Sequence, residues 1–180
     1  MKLIAKMGSL PHPHTPQPRI EYSLTHNRKA ILKNEYFNHY WEDFIVGERY
    51  STRSRLITLS DHMEFCKLVG YEVPLFIDEN VTKASSNEGL ICPSHLIMSF
   101  TTAMTGNLFS KSIIALLCLE NAKFLAAVRP GDTIRTEVEI VSKRETSKAD
   151  RGIVVFRDLV LNQNNDLVFQ NDKTALIKRV

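Results

Sequence analysis

The sequence predicts an α+β domain in which one long buried helix packs against an antiparallel sheet. The chain has 180 residues, enough for one domain and an extension. A strand pattern and short helices precede the longest apolar helix pattern, and a run of strand patterns separated by short turns follows it. This order, with most strands grouped together and apart from the helices, is typical of α+β proteins.

The chain is predicted to divide near residue 35. Residues 1–35 contain the polar stretch SLPHPHTPQPR, whose four prolines fix the backbone φ angle and remove amide donors. We expect this segment to be extended and poorly packed. His12 and His14 within it are too few ligands, in too loose a segment, to predict a metal site. Residues 36–180 are predicted to form the folded domain.

Composition argues against several functional classes. The formal net charge is +3 and the basic residues are scattered, so neither nucleic acid nor a membrane surface is an expected partner. No apolar run is long enough to span a membrane, and the first residues do not have the pattern of a secretory signal. Cys66, Cys92 and Cys118 lie far apart inside apolar stretches, which predicts buried free thiols. These features predict a cytoplasmic protein.

The first half of the domain reads as a strand followed by helices. The stretch YSTRSRLITL, residues 50–59, predicts a strand, and SDHMEFCKLVG, residues 60–70, predicts a helix. A loop around Pro74 and a short helical turn over residues 78–84 are expected next.

Local signals predict where the first helix begins and ends. Ser60 or Asp61 is the expected N-cap, and Asp61 and Glu64 have the spacing of a capping box. Gly70 is expected to end the helix. We interpret Asp61, His62 and Glu64 as capping residues and solvated surface.

The longest helix is predicted over PSHLIMSFTTAMTGNLFSK, residues 93–111. Pro93 suits the first helical position, where no amide donor is needed. Apolar residues occupy most faces of the helix: Leu96, Ile97, Met98, Phe100, Ala103, Met104 and Leu108. We therefore expect a central helix that is buried on most of its surface.

Strand patterns occupy the rest of the chain. Residues 112–128 are strand-like with a break near Glu120, and residues 133–141 alternate between apolar and charged side chains. Residues 151–163 and 167–177 flank the turn NND, which predicts a hairpin.

Six stretches come in a fixed order: WEDFIVGERY, ITLSDHMEFCKLVG, VPLFIDENVTKAS, LICPSHL, FLAAVRPGDTIRTEVEIVSKRET and GIVVFRDLVLNQNNDLVFQ. Together, over about residues 41–178, they resemble the MaoC-like acyl dehydratases and (R)-specific enoyl-CoA hydratases. The resemblance implies the hot dog fold, a long central helix wrapped by an antiparallel sheet. It also implies an acyl-CoA or acyl-ACP thioester as ligand, no cofactor, no metal, and a homodimer or a heteromer with another hot dog subunit.

The resemblance further implies a mechanism. In this family an Asp-x-Asn-Pro-Leu-His loop places a carboxylate and an imidazole on one water molecule. The imidazole acts as the base, and the water adds to the double bond of an enoyl thioester or leaves from the (3R)-hydroxyacyl form. The N-terminus of the central helix stabilises the thioester oxygen as it becomes enolate-like.

The stretch GYEVPLFIDE, residues 70–79, matches this loop without its catalytic pair. Tyr71 stands at the Asp position and Phe76 at the His position, whereas Pro74 and Leu75 match. A phenyl ring accepts no proton, and a phenol with an ordinary pKa of about 10 is a poor base at neutral pH. Loss of a positioned general base costs about 10²–10⁴-fold in rate.

The resemblance places the other candidate residues at the start of the central helix. Ser94 is expected to supply the backbone N–H that binds the thioester oxygen. The other expected substrate-binding positions are Leu90 and Cys92 before the helix and Pro74 and Leu75 in the loop. His95 is a candidate replacement base, with Tyr71 as its acid or orienting group. Alternatively, His95 packs at an apolar position or bonds a neighbouring carbonyl.

Two functional hypotheses therefore stay open. The chain is either a hydro-lyase of the hydratase or dehydratase type with an altered site, or a non-catalytic subunit or acyl-CoA-binding protein. In the second case a partner hot dog domain carries the intact Asp–His pair.

Overall fold

A computed structural model describes residues 39–84 and 89–180. Within them the chain forms a 3₁₀ turn, six strands and four α-helices. In chain order these are the 3₁₀ turn Trp41–Asp43, β1 (Arg49–Ser51), β2 (Arg55–Leu56), α1 (Leu59–Val69), α2 (Pro74–Ile77), α3 (Glu79–Ala84), α4 (Ser94–Gly106), β3 (Ile113–Phe124), β4 (Thr133–Glu145), β5 (Arg151–Leu161) and β6 (Leu167–Lys178). The predicted N-terminal segment 1–35 lies outside the described residues, so its boundary stays a prediction.

The six strands form one antiparallel sheet, which confirms the α+β prediction. Its order is β1-β4-β5-β6-β3, and β2 also pairs with β4. The hairpin predicted at NND joins β5 to β6, and Asn165 within it has a φ angle of 66°. Because β3 is the last strand of the sheet, one of its sides has no neighbouring strand among the described residues.

Two further strand predictions rest on local pattern, and both are confirmed. The alternation in β4 places Ile134, Val138 and Ile140 in the core, while the charged residues between them are only half-buried. The break expected near Glu120 is a shift in the pairing of β3 with β6, and Asn121 has a φ angle of 54° there.

The N-terminus of α1 was predicted two or three residues too late. Thr58 is the N-cap: its hydroxyl accepts from the Asp61 amide at 3.0 Å, and the Asp61 carboxylate accepts from the Thr58 amide at 3.0 Å. Ser60 lies inside the helix and donates to Glu64 at 2.9 Å. Gly70 ends the helix with a φ angle of 72°, as predicted.

Two other segments differ from the sequence prediction. The strand expected over residues 50–59 is the two short strands β1 and β2, because the last of these residues begin α1. The loop expected around Pro74 contains α2, with Pro74 as its first residue, where a missing amide donor costs nothing. The helical turn expected over residues 78–84 is α3.

The central helix α4 is buried on one side only, so the prediction of burial on most faces was wrong. Pro93 is its N-cap and not its first helical residue. The buried residues are Leu96, Ile97, Thr101 and Thr105, and the exposed ones include Ser94, His95, Ser99 and Ala103. The reason is geometric: the sheet covers one face of the helix, and no other described element covers the opposite face.

The position of β3 at the edge of the sheet also corrects the cysteine prediction. Cys66 and Cys92 are buried, but Cys118 on β3 is exposed. Most apolar side chains of this strand are exposed too: Ile113, Ile114, Leu116, Leu117, Leu119 and Phe124. An apolar edge strand of this length is a surface that proteins normally cover.

The core consists of two apolar clusters with a buried polar layer between them. One cluster is built around Phe44, Phe109 and Phe156, and the other around Leu96 and Phe169. The polar layer comes from all the elements that cross the core: Thr101 and Thr105 of α4, Thr136 of β4, Asp158 of β5, and Asn171 and Lys173 of β6. Each of these residues lies, along its own element, between members of the two clusters.

Lys173 connects this layer. Its ammonium group lies 2.5 Å from a carboxylate oxygen of Asp158 and donates to the Thr105 hydroxyl at 2.5 Å. Asp158 is fully buried, and burial raises its pKa to about 6 although Lys173 opposes that rise. The contact therefore joins two strands to the central helix inside the core.

Trp41 anchors the start of the domain against the sheet. Its indole N–H donates to the Ile153 carbonyl at 3.1 Å. The charged groups of Lys143 and Arg179 lie 4.2 and 4.4 Å from the ring centre, within cation–π range. The indole occupies the space beside Gly152 that a Cβ atom would need.

Replacing Gly152 with alanine should destabilise the protein, because the new methyl group overlaps the Trp41 indole. We expect a loss of about 1–3 kcal/mol in the free energy of unfolding, the usual cost of overpacking. Gly106→Ala is the matched control, since nothing lies within 4 Å of its Cβ position. Urea unfolding should show the control unchanged or slightly more stable, and equal stability for both variants would contradict this packing.

Asp158 should make the unfolding free energy depend on pH between about 4 and 6. Because its pKa rises from 3.8 to about 6, the folded protein holds a proton there that the unfolded chain releases. Lowering the pH through 6 therefore favours folding at this group, and raising it weakens folding. We expect wild type to gain stability over the Asp158→Asn/Lys173→Met double variant as the pH falls from 7 to 4 in urea titrations.

The double variant is the right reference because each single change leaves a buried group unpaired. Either single variant should lose about 3–5 kcal/mol. Parallel stability curves for wild type and the double variant across this pH range would show that Asp158 titrates normally.

Candidate functional site

The start of α4 presents backbone donors toward a cleft. The Cys92 amide donates to the Val128 carbonyl at 2.8 Å, which fixes the segment that enters the helix. The first hydrogen bonds of the helix run from Leu96 and Ile97 to the Pro93 carbonyl, so the N–H groups of Ser94 and His95 precede them. Such N–H groups, at the positive end of the helix dipole, suit a partial negative charge.

A cleft of about 300 Å³ lies beside this helix end. Most of the side chains that line it are apolar, those of Ile91, Ile97, Phe124, Leu125, Ala126, Ala127, Val128 and Val168, and Cys92 and Ser94 line it too. Polar atoms nevertheless contribute almost as much of the cleft surface as apolar atoms do. Phe124 stacks on Phe169 with ring centres 4.5 Å apart. Such a mixed surface suits a ligand that has both an apolar chain and polar groups.

Cys92 is not placed to act as a nucleophile. Burial, with the nearby Asp132 charge, raises the pKa of its thiol to about 12. The reactive thiolate is therefore nearly absent at neutral pH. Its place in the lining is that of a small apolar side chain.

Three aromatic rings and an imidazole form a second group at the same helix end. The Tyr71 hydroxyl lies 3.2 Å from Nδ1 of His95. Both residues were predicted from the sequence as site residues, and the structure brings them together. The Tyr71 ring centre is 5.5 Å from that of Phe76 and 6.3 Å from that of Phe65. Phe76, which the resemblance aligns with the family's His, thus packs its ring against Tyr71.

The chemistry of the Tyr71–His95 contact depends on which atom carries the proton. When Nδ1–H of His95 donates to the Tyr71 oxygen, Nε2 is unprotonated and can take a proton from water. When the Tyr71 hydroxyl donates to Nδ1, the neutral ring carries its proton on Nε2. The pair can therefore present a proton acceptor or a proton donor at Nε2, as general acid–base catalysis requires.

The other candidate residues are more dispersed. Ser94 and Cys92 line the cleft, whereas Tyr71, Phe76 and His95 do not. Pro74 and Leu75 belong to α2, with Pro74 exposed and Leu75 half-buried. Leu90 is buried, and its carbonyl and that of Gly89 accept from the Arg129 guanidinium at 3.4 and 2.8 Å. These contacts hold the segment before α4 in place.

His62 is a residue of this region that the sequence interpretation missed. It was expected on solvated surface, but it is fully buried, and its Nε2 lies 2.5 Å from the Phe76 carbonyl oxygen. The spacing of His62 from Phe65 and Cys66 places all three on the inward face of α1, which is the signal that reveals its burial.

Residues 39–84 and 89–180 contain no group of three or more His, Cys, Asp or Glu side chains arranged to hold a metal ion. None of the helices in these two ranges is long and apolar enough to cross a membrane.

The chain belongs to the family defined by the MaoC-like domain, whose family model matches residues 43–158. It is 27% identical over 115 residues to Protein MaoC of Klebsiella aerogenes, covering 64% of this chain and 34% of that protein. It is 23% identical over 141 residues to beta-methylmalyl-CoA dehydratase of Chloroflexus aurantiacus, covering 78% and 40%. The chain therefore spans well under half the length of these relatives.

Solved structures confirm the hot dog fold. A monoamine oxidase regulatory protein from Archaeoglobus fulgius is 27% identical, with a TM-score of 0.73, over 79% of this chain and 95% of the other. A conserved hypothetical protein from Mycobacterium tuberculosis with a double hot dog fold has a TM-score of 0.74 at 19% identity, over 79% and 45%. The second likeness concerns the fold alone.

Proposed function

We propose that this chain binds an acyl-CoA or acyl-ACP thioester at the N-terminus of α4 and catalyses reversible addition of water to its enoyl form. The observation that carries the proposal is the 3.2 Å contact between the Tyr71 hydroxyl and His95 Nδ1. It puts an oriented imidazole on the first turn of the central helix, at the end where the Ser94 N–H is available. The cytoplasmic location expected from composition belongs to the same proposal.

The thioester is held between the cleft and the helix end. Its acyl chain occupies the cleft between α4 and the segment 124–128, and its carbonyl oxygen accepts from the Ser94 N–H. The proposal requires the C2–C3 double bond to lie outside the cleft, on the side of the helix end where His95 stands, because His95 is not part of the cleft lining. No metal or cofactor takes part.

In the hydration direction, the oxygen of water bonds to C3 while Nε2 of His95 takes one of its protons. The π electrons of the C2–C3 bond move toward the thioester carbonyl, whose enolate-like oxygen is stabilised at Ser94. The proton on His95 then passes to C2, which restores the carbonyl and the neutral imidazole. Tyr71 accepts from Nδ1–H of His95 and so keeps Nε2 free for the water.

The second candidate function is a non-catalytic hot dog subunit that pairs with a catalytically intact partner. The exposed apolar side chains along β3 are consistent with it, because a second hot dog domain that pairs there extends the sheet and covers this edge. A second copy of this chain satisfies the same surface, so β3 pairing is compatible with both functions.

Replacing His95 with alanine should lower kcat/KM for hydration of an enoyl-CoA by about 10²–10⁴-fold, the usual contribution of a general base. Tyr71→Phe removes one hydrogen bond and keeps the ring, so a loss of about 10-fold is expected. The loss of enoyl thioester ultraviolet absorbance measures both. Ala103→Ser, an exposed change two turns further along α4, is the control and should match wild type.

The double substitution Tyr71→Asp/Phe76→His separates the two candidate functions. An inactive wild type together with an active double variant would support the non-catalytic subunit and contradict the His95 mechanism. An active wild type that loses activity on His95→Ala would exclude the non-catalytic subunit.

Leu117→Asp should prevent pairing through β3. Leu117 is 51% exposed at the middle of the strand, and a carboxylate there opposes burial against another apolar edge. We expect wild type to be a dimer and the variant a monomer at micromolar concentration in analytical ultracentrifugation. Leu68→Asp on α1, where the side chain is 83% exposed, is the matched control and should stay dimeric. A monomeric wild type would contradict pairing of two copies through β3, and the partner of this strand would then have to be a different chain.

A further inference from the structure

His62 is a buried imidazole that one hydrogen bond connects to the next helix. Its Nε2 lies 2.5 Å from the Phe76 carbonyl oxygen, which can only accept, so Nε2 carries a hydrogen. Nδ1 is buried and has no hydrogen-bond partner among the described residues. The contact with Phe76 therefore orients the ring.

The bond from His62 ties α1 to α2. α2 has only four residues, Pro74–Ile77, so most of its carbonyls lack partners within the helix. The Phe76 amide donates to the Val73 carbonyl and the Asp78 amide donates to the Pro74 carbonyl, both at 2.9 Å. The side chain of His62 reaches across from α1 and satisfies the carbonyl of Phe76, the residue whose ring packs on Tyr71.

Two aromatic rings contact Tyr71, and both belong to residues that are part of α1 or bonded to it. Phe65 belongs to α1 itself, three residues after His62, and Phe76 is held to α1 by His62. The ring centres of Phe65 and Phe76 lie 6.3 and 5.5 Å from the centre of the Tyr71 ring. These two contacts restrict the position of the Tyr71 ring. The Tyr71 hydroxyl then reaches His95.

We propose that His62 is a positioning residue: by holding the Phe76 carbonyl, it fixes the Tyr71 ring and so orients the His95 imidazole. This inference rests on the proposed function for its catalytic consequence. Its structural content, the dependence of the Tyr71–His95 contact on His62, is independent of whether the chain hydrates thioesters.

The test compares two substitutions of His62 and uses the NMR signals of the His95 ring nitrogens as the readout. His62→Gln keeps an N–H donor that reaches the Phe76 carbonyl, and His62→Leu keeps apolar bulk without a donor. Long-range ¹H–¹⁵N spectra report the environment of the His95 ring, and the Tyr71→Phe spectrum defines the state without the contact. We expect His62→Leu to give the Tyr71→Phe pattern and His62→Gln to give the wild-type pattern.

Activity provides a second readout through a double-mutant cycle. If His62 acts through Tyr71, His62→Leu lowers kcat about as much as Tyr71→Phe, and the double variant loses no more than either single variant. A residue that only fills the core would instead add its own loss. An inactive wild type would remove the proposed hydration, while the His95 spectra would still decide the positioning role.

Phe76→Leu covers the case in which His62→Leu does not fold. It keeps the backbone carbonyl that His62 binds and removes the aromatic contact with Tyr71. It should also give the Tyr71→Phe pattern at His95. The proposal is overturned by a folded His62→Leu with a wild-type His95 spectrum, or, if that variant is unfolded, by a wild-type spectrum in Phe76→Leu.

Discussion

The contact of Lys173 with Asp158 and Thr105 is the constraint on which the placement of the site depends. Apolar clusters alone tolerate a helix that slides along a sheet, whereas a buried ammonium group must meet its partners. Thr105 is eleven residues after Ser94, about 16 Å along the helix. A contact near one end of α4 thus determines where the other end, with its free N–H groups, stands beside the cleft.

The one-sided burial of α4 follows from the same arrangement. The sheet covers the face that carries Thr101 and Thr105, and the face that carries His95 stays accessible. In the proposed hydration, this exposure lets the His95 imidazole reach water, and the Tyr71 hydroxyl at 3.2 Å orients its ring.

An aromatic group stands at the loop between α1 and α2. Phe65, Tyr71 and Phe76 pack together, and the imidazole that supports them is His62, buried on α1 and facing a backbone carbonyl. Burial makes this hydrogen bond costly to lose, since water cannot replace the missing partner. Ring packing and the His62 bond thus add to the backbone bonds of this segment, such as that from the Tyr71 amide to the Cys66 carbonyl at 2.8 Å.

By itself the sequence determined the features that local patterns control. These include the fold class, the alternation of β4, the end of α1 at Gly70, the NND hairpin, and the family, through the order of its motifs. Tertiary structure decided the burial of His62 beneath α2, the exposure of Cys118 on the edge strand, and the meeting of Tyr71 with His95. Caps and periodicity act within a few residues, whereas burial and contacts between distant side chains depend on which elements the completed fold brings together.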